Sequence, residues 1–186
     1  MIAIAGLPGS LRAGSLNARL LAAARALAPE GCSVEALSLR GVPLYDADVE
    51  AAEGLPAAVV SLKARIVAAD SLLLVTPEYN NSLPGVFKNT IDWLSRPPAD
   101  IVRVFGERPV GLIGATPGVA GTRLAQSAWL PVLRTLGMRP WFGRQLYVTG
   151  AHKLFDESGE LTDEDTRDRL STYMQEFAAF VAACRA

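Results

Sequence analysis

A doubly wound α/β domain, with a parallel sheet covered by helices on both faces, is the fold class that this 186-residue sequence predicts. Three observations predict it. Short β-branched or leucine-rich runs alternate strictly with longer helical patterns, the order that βαβ units require. One run, Ser71-Leu72-Leu73-Leu74-Val75-Thr76, is apolar without alternation, as expected of a central strand buried on both sides. No linker, repeat or low-complexity segment interrupts the chain, so residues 1–186 read as a single domain of ordinary size.

Residues 2–6 read as a first buried strand. Residues 15–28 place Leu16, Leu20, Leu21, Ala24 and Leu27 on one face at helical spacing. Residues 33–39 follow as a second strand, with Val34, Ala36 and Leu37 able to face inward. Residues 41–54 form a polar, turn-rich connector, and 55–70 return to helical spacing. The central strand gives way to a loop, 76–83, and Pro84 then sits where a first helical turn accepts it. Val86, Phe87, Ile91 and Leu94 make the apolar face of that helix, and Pro97-Pro98 ends it. Residues 108–115 read as a fourth strand, 116–121 as a glycine-bearing loop and 122–136 as a helix. A fifth strand at 139–148 and a closing helix at 161–184 complete the pattern.

Composition removes several function classes. Half the residues are apolar, 20% are charged and the formal net charge is −1. Such a chain lacks the basic field that binding a nucleic-acid backbone needs. Neither cysteine, Cys32 or Cys184, belongs to a C-x-x-C pair, so zinc-ribbon and thioredoxin readings have no ligands, and both thiols are expected to be unpaired. His152 is the only histidine, which excludes a histidine-rich metal site, and no G-x-S-x-G elbow supports a hydrolase. A surface position is expected for it, and no metal is expected anywhere. The amino terminus has no positive flank and reaches Pro8 too soon for a signal peptide. No apolar run approaches the roughly 20 residues of a membrane span. A cytoplasmic protein without membrane partners is expected.

Sheets of this class bind ligands outside the carboxyl ends of their strands, which directs attention to the loops after strands one, three and four. The first, Gly9-Ser10-Leu11-Arg12-Ala13-Gly14-Ser15-Leu16-Asn17, sets hydroxyls, an amide and a guanidinium at a helix amino terminus, where N–H groups and the helix dipole favour an anion. Helix capping explains Ser15 but not Ser10, Arg12 and Asn17 together. Gly9 and Gly14 have Walker A separation, but Ser15 occupies the lysine position, and G-x-G-x-x-G is absent. A terminal monophosphate remains. The second loop, 76–85, places Tyr79 between amides and prolines, which suits the edge of a flat heteroaromatic ring. It equally suits a turn in which Ser82 caps the next helix and Tyr79 packs on the surface. The third, Ala115-Thr116-Pro117-Gly118-Val119-Ala120-Gly121-Thr122, has small residues that would let a ligand approach the backbone. A plain strand-to-helix turn would look similar.

The motifs Gly9-Ser10-Leu11-Arg12 with Ser15 and Asn17, and Pro77-Glu78-Tyr79-Asn80 with Leu83-Pro84-Gly85, Lys88-Asn89, Asp92 and Trp93, stand in order with Gly118 and Gly121 ahead of Gln126. At these loops the sequence resembles the NAD(P)H-dependent FMN reductase family, which includes bacterial quinone, chromate and azo-dye reductases. The resemblance spans roughly the first 140 residues. It implies a flavodoxin-like, five-stranded parallel sheet of order 2-1-3-4-5. It also implies that Ser10, Arg12, Ser15 and Asn17 hold the FMN phosphate, with Leu11 in the same cofactor-binding loop. Pro77, Glu78, Tyr79 and Asn80 would line the isoalloxazine, with Thr116 and Gly118 near its pyrimidine edge. Pro8 and Pro117 depart from the family pattern.

In this reading bound FMN carries the chemistry, and no catalytic side chain is expected. Hydride from NAD(P)H reduces the flavin, and a flat acceptor such as a quinone, free flavin, azo dye or chromate then takes the electrons, in ping-pong order. A solvent-facing carboxylate is expected at Glu78. Trp93 and Trp129 suit either the core or a subunit surface, and a homodimer or homotetramer is expected. The alternatives are a flavodoxin-type electron carrier, against which the near-zero net charge speaks, and a non-catalytic FMN-binding protein.

Overall fold

Every strand of the computed structural model, which describes residues 1–185, belongs to one parallel sheet. Strands β1 (Ile2–Pro8), β2 (Cys32–Ala36), β3 (Ser71–Val75) and β4 (Pro109–Ala115) lie in the order β2-β1-β3-β4. The position beyond β4 is shared by β5 (Arg139–Pro140) and β6 (Leu146–Val148), both paired with β4. From β1 the chain steps outward to β2 and then crosses back to β3 on the other side. The loops after β1 and β3 therefore leave neighbouring strands in diverging directions, which opens a crevice at their carboxyl ends.

The helices are α1 (Leu16–Ala26), α2 (Ala47–Glu53), α3 (Ala57–Ala68), α4 (Gly85–Leu94), α5 (Ile101–Phe105), α6 (Arg123–Thr135) and α7 (Glu164–Arg185). Successive strand residues face opposite sides, and the sheet accordingly carries two cores. Ala5, Leu7, Leu72 and Leu74 pack against α3, α4, α5 and α6. Ile4, Leu73, Val75 and Ile113 pack against α1 and α7. Leu72, Leu73, Leu74 and Val75 are each at most 1% exposed, and burial of each contributes about 1.5–3 kcal/mol before the entropy of ordering is subtracted. Trp93 and Trp129 are both fully buried. They belong to the core, and a subunit surface is excluded for their rings. His152 is exposed, and Cys32 and Cys184 are free, half-buried thiols. No described helix is long and apolar enough to cross a membrane.

Three elements differ from the sequence reading. The connector at 41–54 contains α2, which has no buried residue and hence no apolar stripe to betray it. Its signals are an Asp46 cap, whose carboxylate accepts from the Asp48 and Val49 N–H groups, and a Gly54 terminus at φ 77°. The five-residue α5 is too short for a helical period. The expected strand at 139–148 is broken because Trp141 turns inward onto Tyr173, with ring centroids 4.9 Å apart.

Across the break β4 keeps its pairing, first to β5 and then to β6. The Val110 carbonyl accepts from the Trp141 N–H at 2.9 Å. Two residues on, the Leu112 carbonyl faces the Leu146 N–H in the β4–β6 register and also accepts from the buried Tyr173 hydroxyl at 3.2 Å. Burial pushes the Tyr173 hydroxyl well above the usual phenol range, which keeps it a donor. Tyr173→Phe is expected to lower stability by about 0.5–1.5 kcal/mol, the net loss of one buried hydrogen bond. Urea unfolding checks it, and an unchanged midpoint would contradict this role.

Candidate functional site

The three loops meet at the carboxyl edge of the sheet. The first begins at Gly9, whose N–H donates to the Val75 carbonyl at 2.9 Å. A Cβ here would stand 2.2 Å from the Phe87 ring and 2.9 Å from Pro77, so only glycine lets the chain leave β1 between them. The Ser10 N–H then turns back onto the Pro8 carbonyl at 2.9 Å. Ser10 Oγ accepts from the Arg12 N–H at 3.3 Å, and Ser15 Oγ caps α1 by accepting from the Ala18 N–H at 3.2 Å. As acceptors, both hydroxyls keep a hydrogen of their own to donate. Arg12 donates to the Gly14 carbonyl at 2.6 Å and has no carboxylate partner among the described residues. The backbone N–H groups of Gly14, Leu16 and Asn17 find no protein acceptor there either. Unpaired donors, an unpaired cation and a positive helix end thus converge on one spot, which fits a phosphate.

Asn17 differs from the sequence reading. It is 3% exposed, its Nδ2 donates to the Ala115 carbonyl and its Oδ1 accepts from the Ala115 N–H, both at 2.9 Å. The side chain ties α1 to the end of β4, and its offer to an anion lies in its backbone N–H.

The second loop is a tight turn. The Tyr79 and Ser82 backbones exchange two hydrogen bonds at 3.0 Å, and Asn80 and Asn81 between them have φ 51° and 60°. Both central residues are left-handed, the type I′ geometry for which asparagine is favoured. Ser82 therefore pairs across a turn and does not cap α4, whose N-cap Pro84 makes no side-chain cap bond. Tyr79 stands 50% exposed beside the crevice. Below it, Thr76 Oγ1 accepts from the Trp129 indole at 3.1 Å and donates to the Pro77 carbonyl at 2.9 Å, so the core fixes the loop's root. Glu78 is half-exposed, as a loop carboxylate would be, but not free. Its Oε2 accepts from the Leu124 and Ala125 N–H groups at 2.9 and 3.0 Å, which caps α6 from another loop.

In the third loop, Thr116 is held on both sides: its N–H donates to Val148 and its carbonyl accepts from Ala151, each at 3.0 Å. Gly118 donates its N–H to Thr116 Oγ1 at 3.3 Å, and its carbonyl accepts from the Gly150 N–H at 3.2 Å. Gly121, at φ 68°, passes within van der Waals reach of Tyr147 and has no room for a side chain.

A cleft of about 280 Å³ runs between the loops. Ser10, Arg12, Ser15, Asn17, Pro77, Glu78, Tyr79 and Thr116 line it, together with Leu16, Ala115 and Pro117. Leu11, Asn80 and Gly118 lie outside its wall. The motif residues Asn89 and Trp93 act one shell further out, where both donate to the Pro43 carbonyl, at 2.7 and 2.9 Å, and Asn89 Oδ1 accepts from the Tyr45 N–H. They pin the connector after β2 against α4, a role that no local pattern announces. A larger cleft of about 440 Å³ on the β2 edge, between Arg25 and Arg65, carries none of these residues.

Comparison with known proteins bears on the same region. The sequence model of a family described as NADPH-dependent FMN reductase matches residues 2–153. An NAD(P)H-dependent FMN reductase of Pseudomonas aeruginosa is 39% identical over 184 residues, 99% of this chain and 97% of the relative. A 2-hydroxy-1,4-benzoquinone reductase of Burkholderia is 39% identical over 178 residues, 96% and 95% of the two chains. Among solved structures, the flavoenzyme NAD(P)H:(acceptor) oxidoreductase FerB of Paracoccus denitrificans superposes with a TM-score of 0.88 at 32% identity, over 98% of each chain.

Proposed function

Since this chain belongs to the NADPH-dependent FMN reductase family, we propose that it is an NAD(P)H-dependent oxidoreductase that uses FMN to reduce a small, flat acceptor of the quinone type. The observation that carries the reading is the anion seat on the first loop: unpaired N–H groups at α1, two serine hydroxyls and Arg12, at one end of a cleft closed by the other two loops. The donor set matches a phosphate in number and charge, so the residues present fit FMN.

When bound, FMN supplies the hydride and electron chemistry. Ser10, Arg12 and Ser15, with the backbone of Asn17, would hold its phosphate; Leu11, expected in the same loop, faces the neighbouring cleft. Pro77, Glu78 and Tyr79 would shape one side of its ring site and Thr116 the other, with Asn80 and Gly118 setting the turns behind them. The Thr116 and Gly118 N–H groups are held by the Val148 carbonyl and by Thr116 Oγ1, so this loop would give that end of the site a fixed shape. Glu78, the only acidic side chain lining the cleft, has one carboxylate oxygen held by two α6 N–H groups. The chain positions and stabilises; it contributes no catalytic acid or base.

One open approach beside Tyr79 serves nicotinamide and acceptor in turn, so turnover is ping-pong, with quinones, free flavin, azo dyes and chromate as acceptors. Residues 1–186 work as one cytoplasmic domain that assembles as a homodimer or homotetramer. The exposed Leu130 and Phe142, which share one recess with Gln126, Ser127, Arg144 and Gln145 around them, would anchor that contact. Phe142→Asp is expected to shift the assembly toward monomer in light-scattering chromatography, and an unchanged mass would place the contact elsewhere.

The deciding experiment mixes FMN-loaded protein anaerobically with NADPH and follows the flavin absorbance. Bleaching without a partner protein, reversed by a quinone, is expected. Flavin that stays oxidised with both NADPH and NADH would remove the reductase reading in favour of a carrier or non-catalytic protein.

A further inference from the structure

A second cleft, of about 260 Å³, lies on the other side of the β1–α1 loop. Ser10 and Arg12 line both clefts, so the loop is a partition with a hollow on each side. The opposite wall comes from the segment after β2. There Leu37 and Leu39 are buried, and the Leu37 N–H donates to the Gly6 carbonyl at 2.8 Å. This extended alternation turns Ser38 and Arg40 outward into the cleft.

Arg40 does not sweep freely through solvent. Its Nη2 donates to the Leu11 carbonyl at 2.5 Å, and its backbone N–H donates to Ser38 Oγ at 3.1 Å. Arg12 is likewise held, through the Gly14 carbonyl. Neither guanidinium has a carboxylate partner among the described residues, and no acidic side chain lines this cleft. With Arg12 committed to the first cleft, the Arg40 guanidinium, held by a carbonyl and beside the Ser38 hydroxyl, makes a site here for a phosphomonoester. The FMN phosphate has its own seat across the partition, where Leu16 and Asn17 present the helix N–H groups.

Resting on the functional reading above, we propose that this cleft takes the 2′-phosphate that distinguishes NADPH from NADH, and that Arg40 makes the enzyme prefer NADPH. The phosphate of a free flavin mononucleotide arriving as acceptor offers the same chemistry, and the test separates the two.

FMN-loaded wild-type and Arg40→Gln proteins are titrated calorimetrically with adenosine 2′,5′-bisphosphate and with ADP. They are then assayed with NADPH and NADH against a quinone, and with free FMN as acceptor. Glutamine retains an N–H for the Leu11 carbonyl and removes the charge. The wild type is expected to bind the bisphosphate more tightly than ADP, and the variant to lose that difference. In the variant kcat/KM for NADPH is expected to fall about 10- to 100-fold, as for loss of a charged hydrogen bond, while that for NADH stays within about twofold. Equal use of both nicotinamides by the wild type, equal loss of both in the variant, or a preference that survives substitution overturns the proposal. So does a raised KM for free FMN with NADPH unaffected, which assigns the cleft to the acceptor. If the protein binds FMN but oxidises neither nicotinamide, the functional reading fails by itself. The bisphosphate titration then still decides the cleft: Arg40-dependent binding tighter than ADP sustains it, and indifference ends it.

Discussion

Arg12→Ala is expected to weaken FMN binding about 10- to 100-fold, through loss of a charge-assisted hydrogen bond to phosphate. The effect is large because nothing else in the seat carries positive charge of its own. The serine hydroxyls and α1 N–H groups are neutral donors, and Arg12 has no carboxylate to satisfy instead. Quenching of flavin fluorescence on titration gives the dissociation constant. Wild-type affinity is expected to fall with ionic strength more steeply than that of the variant, since salt screens the charge that the variant lacks. Arg12→Lys should recover part of the loss, as it restores charge without the planar fork. Affinity within twofold of wild type in Arg12→Ala would mean that the phosphate sits elsewhere.

Gly9→Ala is expected to damage both stability and flavin binding. The new methyl would stand 2.2 Å from a Phe87 ring that is fully buried and packed edge-on against Trp129, with centroids 4.8 Å apart. Overpacking of this kind costs about 1–3 kcal/mol, or several degrees in Tm for a chain of this length. The displacement does not stop at Phe87, because the Trp129 indole holds Thr76 at the root of the second loop. Two walls of the cleft therefore move together. Phe87→Leu added to Gly9→Ala should restore part of both losses, a coupling that independent sites would not show. A Gly9→Ala protein with unchanged Tm would remove glycine's packing role here.

The residues that build the fold and those that build the site were legible to different degrees. Strands β1 to β4 could be read locally, since an uninterrupted apolar run such as 71–76 has one comfortable place in a soluble protein. Helix α1 announced itself through Leu20, Leu21 and Ala24, all at most 1% exposed. The absence of an apolar stripe hid α2, and the inward turn of Trp141 broke a strand whose composition promised continuity.

At the site, sequence determined the class of chemistry: hydroxyls, amides and one guanidinium on a loop that opens a helix, at the edge where such sheets bind ligands. Tertiary structure decided which of those groups is free. Asn17 pairs with Ala115, 98 residues away, and Glu78 caps a helix 46 and 47 residues on. Asn89 and Trp93 hold a carbonyl at Pro43. Periodicity and turn chemistry are properties of neighbouring residues, and so are written along the chain. A polar side chain's partner is set by which elements the hydrophobic cores bring together, and only the folded chain contains that information.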